Sequence, residues 1–329
     1  DKSVAAGRSG DPSPATALGV FIGIQACARW KLNRSELKGL RVAIQGAGNV
    51  GYRLAQGGGK SVILGDPRHE KTEAKMRAMG RFVNTLNGQY IVAEDSGTNV
   101  ADIRLMALET THVGGLADDK SVAAGRSGDP SPATALGVFI GIQACVRWKL
   151  NRGELKGLRV AIQGAGNVGY RLAQYLHQAG AKLWVTDLHA PAVERCVKEF
   201  GATAVPMDAV FGLDVDVFAP CALGAILGDR SIPQLKAVIV AGSANNQLAE
   251  ARHDRALLER GILYAPDYVI NAGGVIDIYY EGPGYSEARV KAHLERIGAT
   301  LTAVFERSKK EKRPTGEIAN RMAEDKFKR

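Results

Sequence analysis

Cysteine is scarce in this chain: Cys27, Cys145, Cys196 and Cys221 are the only four in 329 residues, and the first two are one position of a repeated segment. Their spacing builds neither a disulfide framework nor a zinc-ligand set. The six histidines are scattered, none at a metal-ligand spacing, so no metal is expected. Long hydrophobic runs are missing as well. The longest apolar stretch, residues 133–146, is broken by Gln143 and falls short of the roughly 20 residues a bilayer span needs. With no amino-terminal signal pattern either, the expectation is a cytoplasmic protein with no membrane partner. A strong one-sided charge patch is also lacking. The net charge is +9, but residues 1–56 hold eight Lys/Arg against three Asp/Glu and so carry +5 of it. The remainder is spread along the chain apart from Lys309, Lys310, Lys312 and Arg313. That cluster reads as a solvated helix end rather than a phosphate-binding patch, and no nucleic-acid partner is expected.

What is present is a chain long enough for two domains, 45% hydrophobic, that can bury a substantial core. It also contains a near-exact internal repeat. Residues 119–174 restate residues 1–56 with two differences, Val146 for Ala28 and Gly153 for Ser35. Each copy carries the string GAGNVG, but the first copy stops at Gln56, whereas the second runs on into further alternating elements.

In the complete copy, Ser131 and Pro132 read as N-cap and first position of an apolar helix running to about Trp148. Residues 159–163 are a short buried strand, GAGNVG makes the turn, and residues 170–178 continue as a helix that stops at Gly180. A second strand, residues 183–186, ends at Asp187, and strand candidates at 215–218, 238–241 and 262–264 alternate with helical stretches. This rhythm predicts a parallel, doubly wound α/β sheet. The domains expected are 1–56 as a truncated duplicate, 57–118 as a smaller and incomplete α/β segment, 119–278 as the nucleotide-binding (Rossmann) domain, and 279–329 as C-terminal helices packing on the smaller segment. Within that segment the pattern predicts a strand at 62–64, a helix over about 73–87 and a strand at 90–93.

The glycines of Gly164-Ala165-Gly166-Asn167-Val168-Gly169 permit a tight turn and a close backbone approach to a pyrophosphate, whose charge the helix N-terminus stabilises. Asp187, at the end of the next strand, stands where a carboxylate accepts hydrogen bonds from a ribose diol and disfavours a 2′-phosphate, so NAD is the expected cofactor. Gly46, Gly48 and Gly51 of the first copy lack a following strand and an acidic partner. One dinucleotide site, rather than two, is therefore expected.

A second string, Leu54-x-x-Gly57-Gly58-Gly59-Lys60-x-Val62 followed by Asp66-Pro67, places a lysine beside a glycine run. Poor solvation there lowers the lysine pKa toward the range of a general base. On its own, GGGK is equally a flexible loop with a solvated lysine. The string resembles the catalytic-lysine signature of the glutamate, leucine, phenylalanine and valine dehydrogenase family. EDSGT at 94–98 resembles that family's acidic motif and DPSPAT at 129–134 its inter-domain hinge. PCALG at 220–224, GSANN at 242–246 and YAPDYVINAGGV at 264–275 resemble its remaining cofactor and pocket strings, in the family's order.

The resemblance is continuous from Gly57 onward and strongest to the leucine-type branch. It implies NAD-dependent oxidative deamination of a branched-chain L-amino acid (leucine, valine or isoleucine) to its 2-oxo acid with release of ammonium. By the same resemblance, Lys60 activates the attacking water and Asp95 shuttles a proton at the amine nitrogen. Thr134, Gly164 to Gly169, Asp187, Cys221, Ala222, Asn245 and Asn271 line the cofactor, and Ala93, Val275 and Ile278 bound the substrate side chain. Such enzymes are homo-oligomers assembled through the substrate domain. Where the family places more of that domain, with a further lysine that grips the substrate carboxylate, this chain has the duplicate. That departure leaves open a second reading: a rearranged, catalytically impaired chain that binds NAD without turnover.

Overall fold

The computed structural model describes residues 61, 63, 69–88, 90–94, 98–116, 129–222, 224–280 and 285–327. The chain divides into two units, Asp1–Asp129 and Pro130–Arg329. The duplicate, GGGK with Lys60, Asp95 and the ends of the strand expected at 62–64 lie outside the described residues.

In the first unit, α1 (Glu73–Asn84) starts where Thr72 Oγ1 accepts the Lys75 N–H at 3.3 Å, with Glu73 in the first turn favouring the positive end of the helix dipole. Helix α2 (Val100–Ala107) opens with a capping box in which Asn99 and Asp102 each accept the other's backbone N–H. Met76 and Val83, at helical spacing, meet Ile103 and Met106 of α2 together with Val92 in a small core. Helix α1 ends three residues before the expected limit, because Asn87 and Gly88 adopt left-handed φ of 47° and 78° and turn the chain away. Among the described residues, the strand expected at 90–93 is reduced to a single parallel bridge between Val92 and Val113.

The second unit opens with α3 (Ser131–Leu150), which ends at left-handed Asn151. The alternation that follows is β1 (Arg159–Gln163), α4 (Asn167–Gln178), β2 (Lys182–Thr186), α5 (Ala190–Phe200), β3 (Thr203–Ala204), β4 (Val217–Pro220), β5 (Ile239–Val240), α6 (Arg252–Glu259) and β6 (Leu263–Tyr264). Four helices complete the unit: α7 (Asp267–Ile270), α8 (Gly273–Tyr279), α9 (Glu287–Glu311) and α10 (Thr315–Phe327). All neighbouring strands are parallel and the order is β3-β2-β1-β4-β5-β6. The chain reverses its direction of travel across the sheet between β1 and β4, and a doubly wound sheet opens a crevice beyond its strand ends at that place.

Period-two alternation assigns the two faces. Val160 and Ile162 of β1 enter a core shared with α3, α4 and α9, while Ala161 enters one with Phe218, Val240 and Leu257. Helix α3 is notched for its neighbours: a Cβ on Gly141 would fall 2.4 Å from Ile270 Cγ1. The two C-terminal helices, expected from the sequence to cover the small segment, contribute Val290, Leu294, Leu301, Phe305 and Ile318 to the core of this unit. Helix α10 is anchored by buried Asp254 of α6, whose Oδ2 accepts the Glu317 N–H at 3.1 Å, and by Thr315 Oγ1 donating to Tyr264 O at 2.7 Å. Of the two positions that distinguish the repeats, Val146 is fully buried, and nothing lies within 4 Å of a Cβ on Gly153. Among the described residues no helix is long and apolar enough to cross a membrane.

Candidate cofactor site

The end of β1 and the start of α4 form a turn made by glycine. Gly164 has φ of 103°, a left-handed value that disfavours a side chain, and its N–H donates to Thr186 O at 2.8 Å. A Cβ on Gly164 would stand 2.7 Å from Ala222 Cβ, and one on Gly169 would stand 1.9 Å from Gly164 O. Gly166 differs. It is the N-cap of α4, has no side-chain cap bond, and nothing lies within 4 Å of a Cβ placed on it. The first and third glycines therefore serve the fold, and the second keeps clear the space in front of the helix N-terminus. Exposed Asn167 and half-buried Val168 begin the helix, so its first N–H groups face that space without a capping side chain. A pyrophosphate fits this cradle.

Asp187 follows β2 directly. Its Oδ2 accepts the Ala165 N–H at 2.6 Å and its Oδ1 the His189 N–H at 2.8 Å. Each carboxylate oxygen keeps acceptor capacity, so the group can still receive a diol while it is held in one orientation. Asp187 also forms part of the wall of a cavity of about 560 Å³ whose other lining residues include Ala190, Val193, Val197, Ala204 and Val205.

Across the switch point, Cys221 N–H donates to Gln163 O at 2.7 Å, which holds Cys221 and Ala222 against the glycine turn. Burial pushes the Cys221 thiol up, so it stays protonated and supplies backbone and packing rather than a nucleophile. At the end of α7, Asn271 Nδ2 donates to two groups of the loop after β5, Asn245 Oδ1 at 2.6 Å and Ser243 O at 3.1 Å. Thr134 Oγ1 donates to the N-cap carbonyl of α3, Pro130 O, at 3.0 Å, and a Cβ on Gly274 would come 2.6 Å from the Thr134 hydroxyl oxygen, so the start of α8 lies on Thr134.

Of the residues expected at the cofactor, Gly164 to Gly169 gather with Asp187, Cys221 and Ala222, and Asn245 gathers with Asn271. Val275 and Ile278 stand one turn apart on α8, Val275 with 74% of its surface exposed. Ala93 is half-buried in the first unit beside the Val92 bridge. Next to it, the Glu94 carboxyl is held above the ordinary carboxylate range by burial, with the Asp129 and Asp102 charges adding to the effect. The His189 N–H and the Ser243 carbonyl are backbone groups, which carry no residue-type signal in the sequence.

One group among the described residues has ligand-like proximity: Asp229, Glu250 and His253. The Arg252 guanidinium already bonds both carboxylates, to Asp229 at 2.5 and 2.8 Å and to Glu250 at 2.9 Å. It holds Asp229 down at about 2, with His253 adding to the effect. His253 Nδ1 accepts the Glu250 N–H, which leaves Nε2 to donate to Asp229. The arrangement is a closed ion network in which the guanidinium is the cation.

A family model described as Glutamate/Leucine/Phenylalanine/Valine dehydrogenase matches residues 125–187 and 184–328. The model for the dimerisation domain of Glu/Leu/Phe/Val dehydrogenases matches residues 43–112. Leucine dehydrogenase of Geobacillus stearothermophilus is 47% identical over 317 residues, which are 95% of this chain and 84% of that protein. L-tryptophan dehydrogenase of Nostoc punctiforme is 45% identical over 277 residues, 83% of this chain and 76% of that one. The crystal structure of the Nostoc L-tryptophan dehydrogenase superposes with a TM-score of 0.71 at 42% identity, covering 84% of this chain and 80% of the other.

Proposed function

This chain belongs to the Glutamate/Leucine/Phenylalanine/Valine dehydrogenase family, and on that premise we propose that it catalyses the NAD-dependent oxidative deamination of a branched-chain L-amino acid. Amino acid, NAD and water become 2-oxo acid, ammonium, NADH and a proton. The nicotinamide supplies the hydride acceptor for the substrate Cα. The protein supplies position and proton transfer.

The observation that carries the cofactor choice is Asp187, a fixed carboxylate at the tip of β2. A negative charge held there repels a 2′-phosphate and accepts a diol, which favours NAD over NADP. The diphosphate is assigned to the open face at Gly166, with Gly164, Ala165, Asn167, Val168 and Gly169 shaping the turn. Thr134, Cys221, Ala222, Asn245 and Asn271 complete the cofactor contacts in this reading.

The catalytic pair is Lys60, which activates the attacking water, and Asp95, which moves a proton at the amine nitrogen. Both assignments rest on the family motifs. Ala93, Val275 and Ile278 bound the side-chain pocket, and their small or aliphatic character suits leucine, valine and isoleucine better than an aromatic side chain. The match of residues 43–112 to a dimerisation domain supports a homo-oligomer, and the cytoplasm fits an enzyme of free amino acids.

One observation favours a second reading. The segment ahead of Gly57 is a copy of residues 119–174 and contains no lysine in the surroundings of the family's carboxylate-binding position, so a chain that binds NAD without turnover is the alternative. The deciding experiment follows NADH and ammonium formation from L-leucine and NAD, with NADH binding measured on the same sample. Both products in equal amounts support the enzyme. Binding without either product supports the alternative.

A further inference from the structure

The loop after β5 carries Ser243 and Asn245 to Asn271, and a glutamine holds its shape from beneath. Gln247 is 0% exposed. Its Nε2 donates to Gly242 O at 2.8 Å and to Ala244 O at 3.0 Å, the two carbonyls that flank Ser243. Its own backbone oxygen accepts the Leu227 N–H at 2.9 Å, which ties the same residue to the loop after β4. Neighbouring bonds tie the loop further: Ala225 N–H of the loop after β4 donates to Asn246 O at 2.6 Å, and Ala244 N–H donates to Pro220 O at the end of β4 at 2.9 Å. Asn246 is itself left-handed, with φ of 51°, so the turn needs outside support.

The Oε1 atom of Gln247 is buried without a hydrogen-bond partner. An unmet buried acceptor is unfavourable, and an apolar residue of similar shape would avoid it. What only an amide supplies at this position is the pair of N–H bonds to the carbonyls on either side of Ser243.

We propose that Gln247 is a positioning residue for the dinucleotide site: by clamping Gly242 O and Ala244 O it fixes Ser243 O and Asn245 Oδ1 where Asn271 Nδ2 meets them. The inference rests on the reading of this face as the cofactor site. Gln247 touches neither cofactor nor substrate, so its effect travels through Asn271.

The test is NADH binding to the full chain, followed by cofactor fluorescence, in the wild type, Gln247→Met, Asn271→Ala and the double variant. Gln247→Met is expected to weaken NADH about tenfold. In the Asn271→Ala background it should weaken NADH no further, because the group it positions is gone. A wild type that does not bind NADH overturns the cofactor reading itself. A wild type that binds NADH, with Gln247→Met binding equally well or adding its full loss on top of Asn271→Ala, overturns this inference alone. Should Gln247→Met fail to fold, Gln247→Glu replaces it. A protonated carboxyl restores one donor and an ionised one repels both carbonyls, so NADH affinity should rise as pH falls. Affinity independent of pH in that variant would contradict the clamp.

Discussion

The backbone N–H of Ala165 donates to Asp187 Oδ2 at 2.6 Å, so the carboxylate proposed to select the cofactor also holds the glycine turn proposed to bind it. Removing the side chain therefore acts twice. Asp187→Ala is expected to relax discrimination against NADPH and to weaken NADH about tenfold, the equivalent of about 1.4 kcal/mol. Asp187→Asn keeps an acceptor for the turn and should lose selectivity with a smaller loss of affinity. Fluorescence titration of both variants with NADH and NADPH checks this, and an unchanged cofactor preference in Asp187→Ala would count against the assignment.

The three glycines of the turn should separate folding from binding. Gly166 faces open space, so Gly166→Ala should leave thermal stability nearly unchanged while impairing NADH binding. A Cβ on Gly169 would stand 1.9 Å from Gly164 O, so Gly169→Ala forces the backbone apart and should destabilise the fold by about 1–3 kcal/mol or more. Calorimetric melting without cofactor distinguishes the two. Equal loss of stability in both variants would mean that Gly166 is packed rather than open.

Much of this site can be read from the sequence because its signals are local. A strand, GAGNVG and a helix are contiguous, and Asp187 ends the very next strand. The parallel order of the sheet also follows from its alternating elements. Other features depend on distant partners. Residues 90–93 have the composition of a strand, yet among the described residues only Val92 finds a bridge partner, in Val113. The bond between Asn271 and Asn245 joins two loops brought together by β5 and β6, and no local pattern encodes it. The placement of the C-terminal helices depends on Asp254 and on the apolar face of α9 meeting α3, which the break at Pro314 alone does not reveal.

Asp254 makes stability depend on pH. Burial raises its carboxyl to about 6, partly offset by the N–H groups of Glu317 and Gly316. A carboxyl raised in the folded state binds more protons there than in the unfolded chain. Its contribution is therefore most favourable below the ordinary carboxylate pKa, and it is lost as pH rises through about 6. Asp254→Asn keeps an acceptor for the α10 N-terminus without the buried charge. Relative to wild type, the variant should gain on the order of 2 kcal/mol at neutral pH and show a flatter melting profile between pH 4 and 7. A parallel profile in wild type and variant would contradict the raised carboxyl.

The two positions that differ between the repeats make a matched pair. Val146→Ala, which writes Ala28 into the complete copy, empties a fully buried site in α3 and should lower stability by about 1–3 kcal/mol. Gly153→Ser, which writes in Ser35, adds a side chain where nothing lies within 4 Å and should change stability by no more than about 0.5 kcal/mol. Chemical denaturation midpoints report both. A neutral Val146→Ala would place that residue outside the core.

Oxidation of an aliphatic amino acid with NAD is tested by kcat/KM for reduced-cofactor formation from L-leucine, L-valine and L-isoleucine beside L-tryptophan, each with NAD and with NADP. Turnover, a preference for the aliphatic substrates and at least tenfold selectivity for NAD are expected. Absence of turnover with every substrate, or a preference for L-tryptophan or for NADP, would contradict the proposed function.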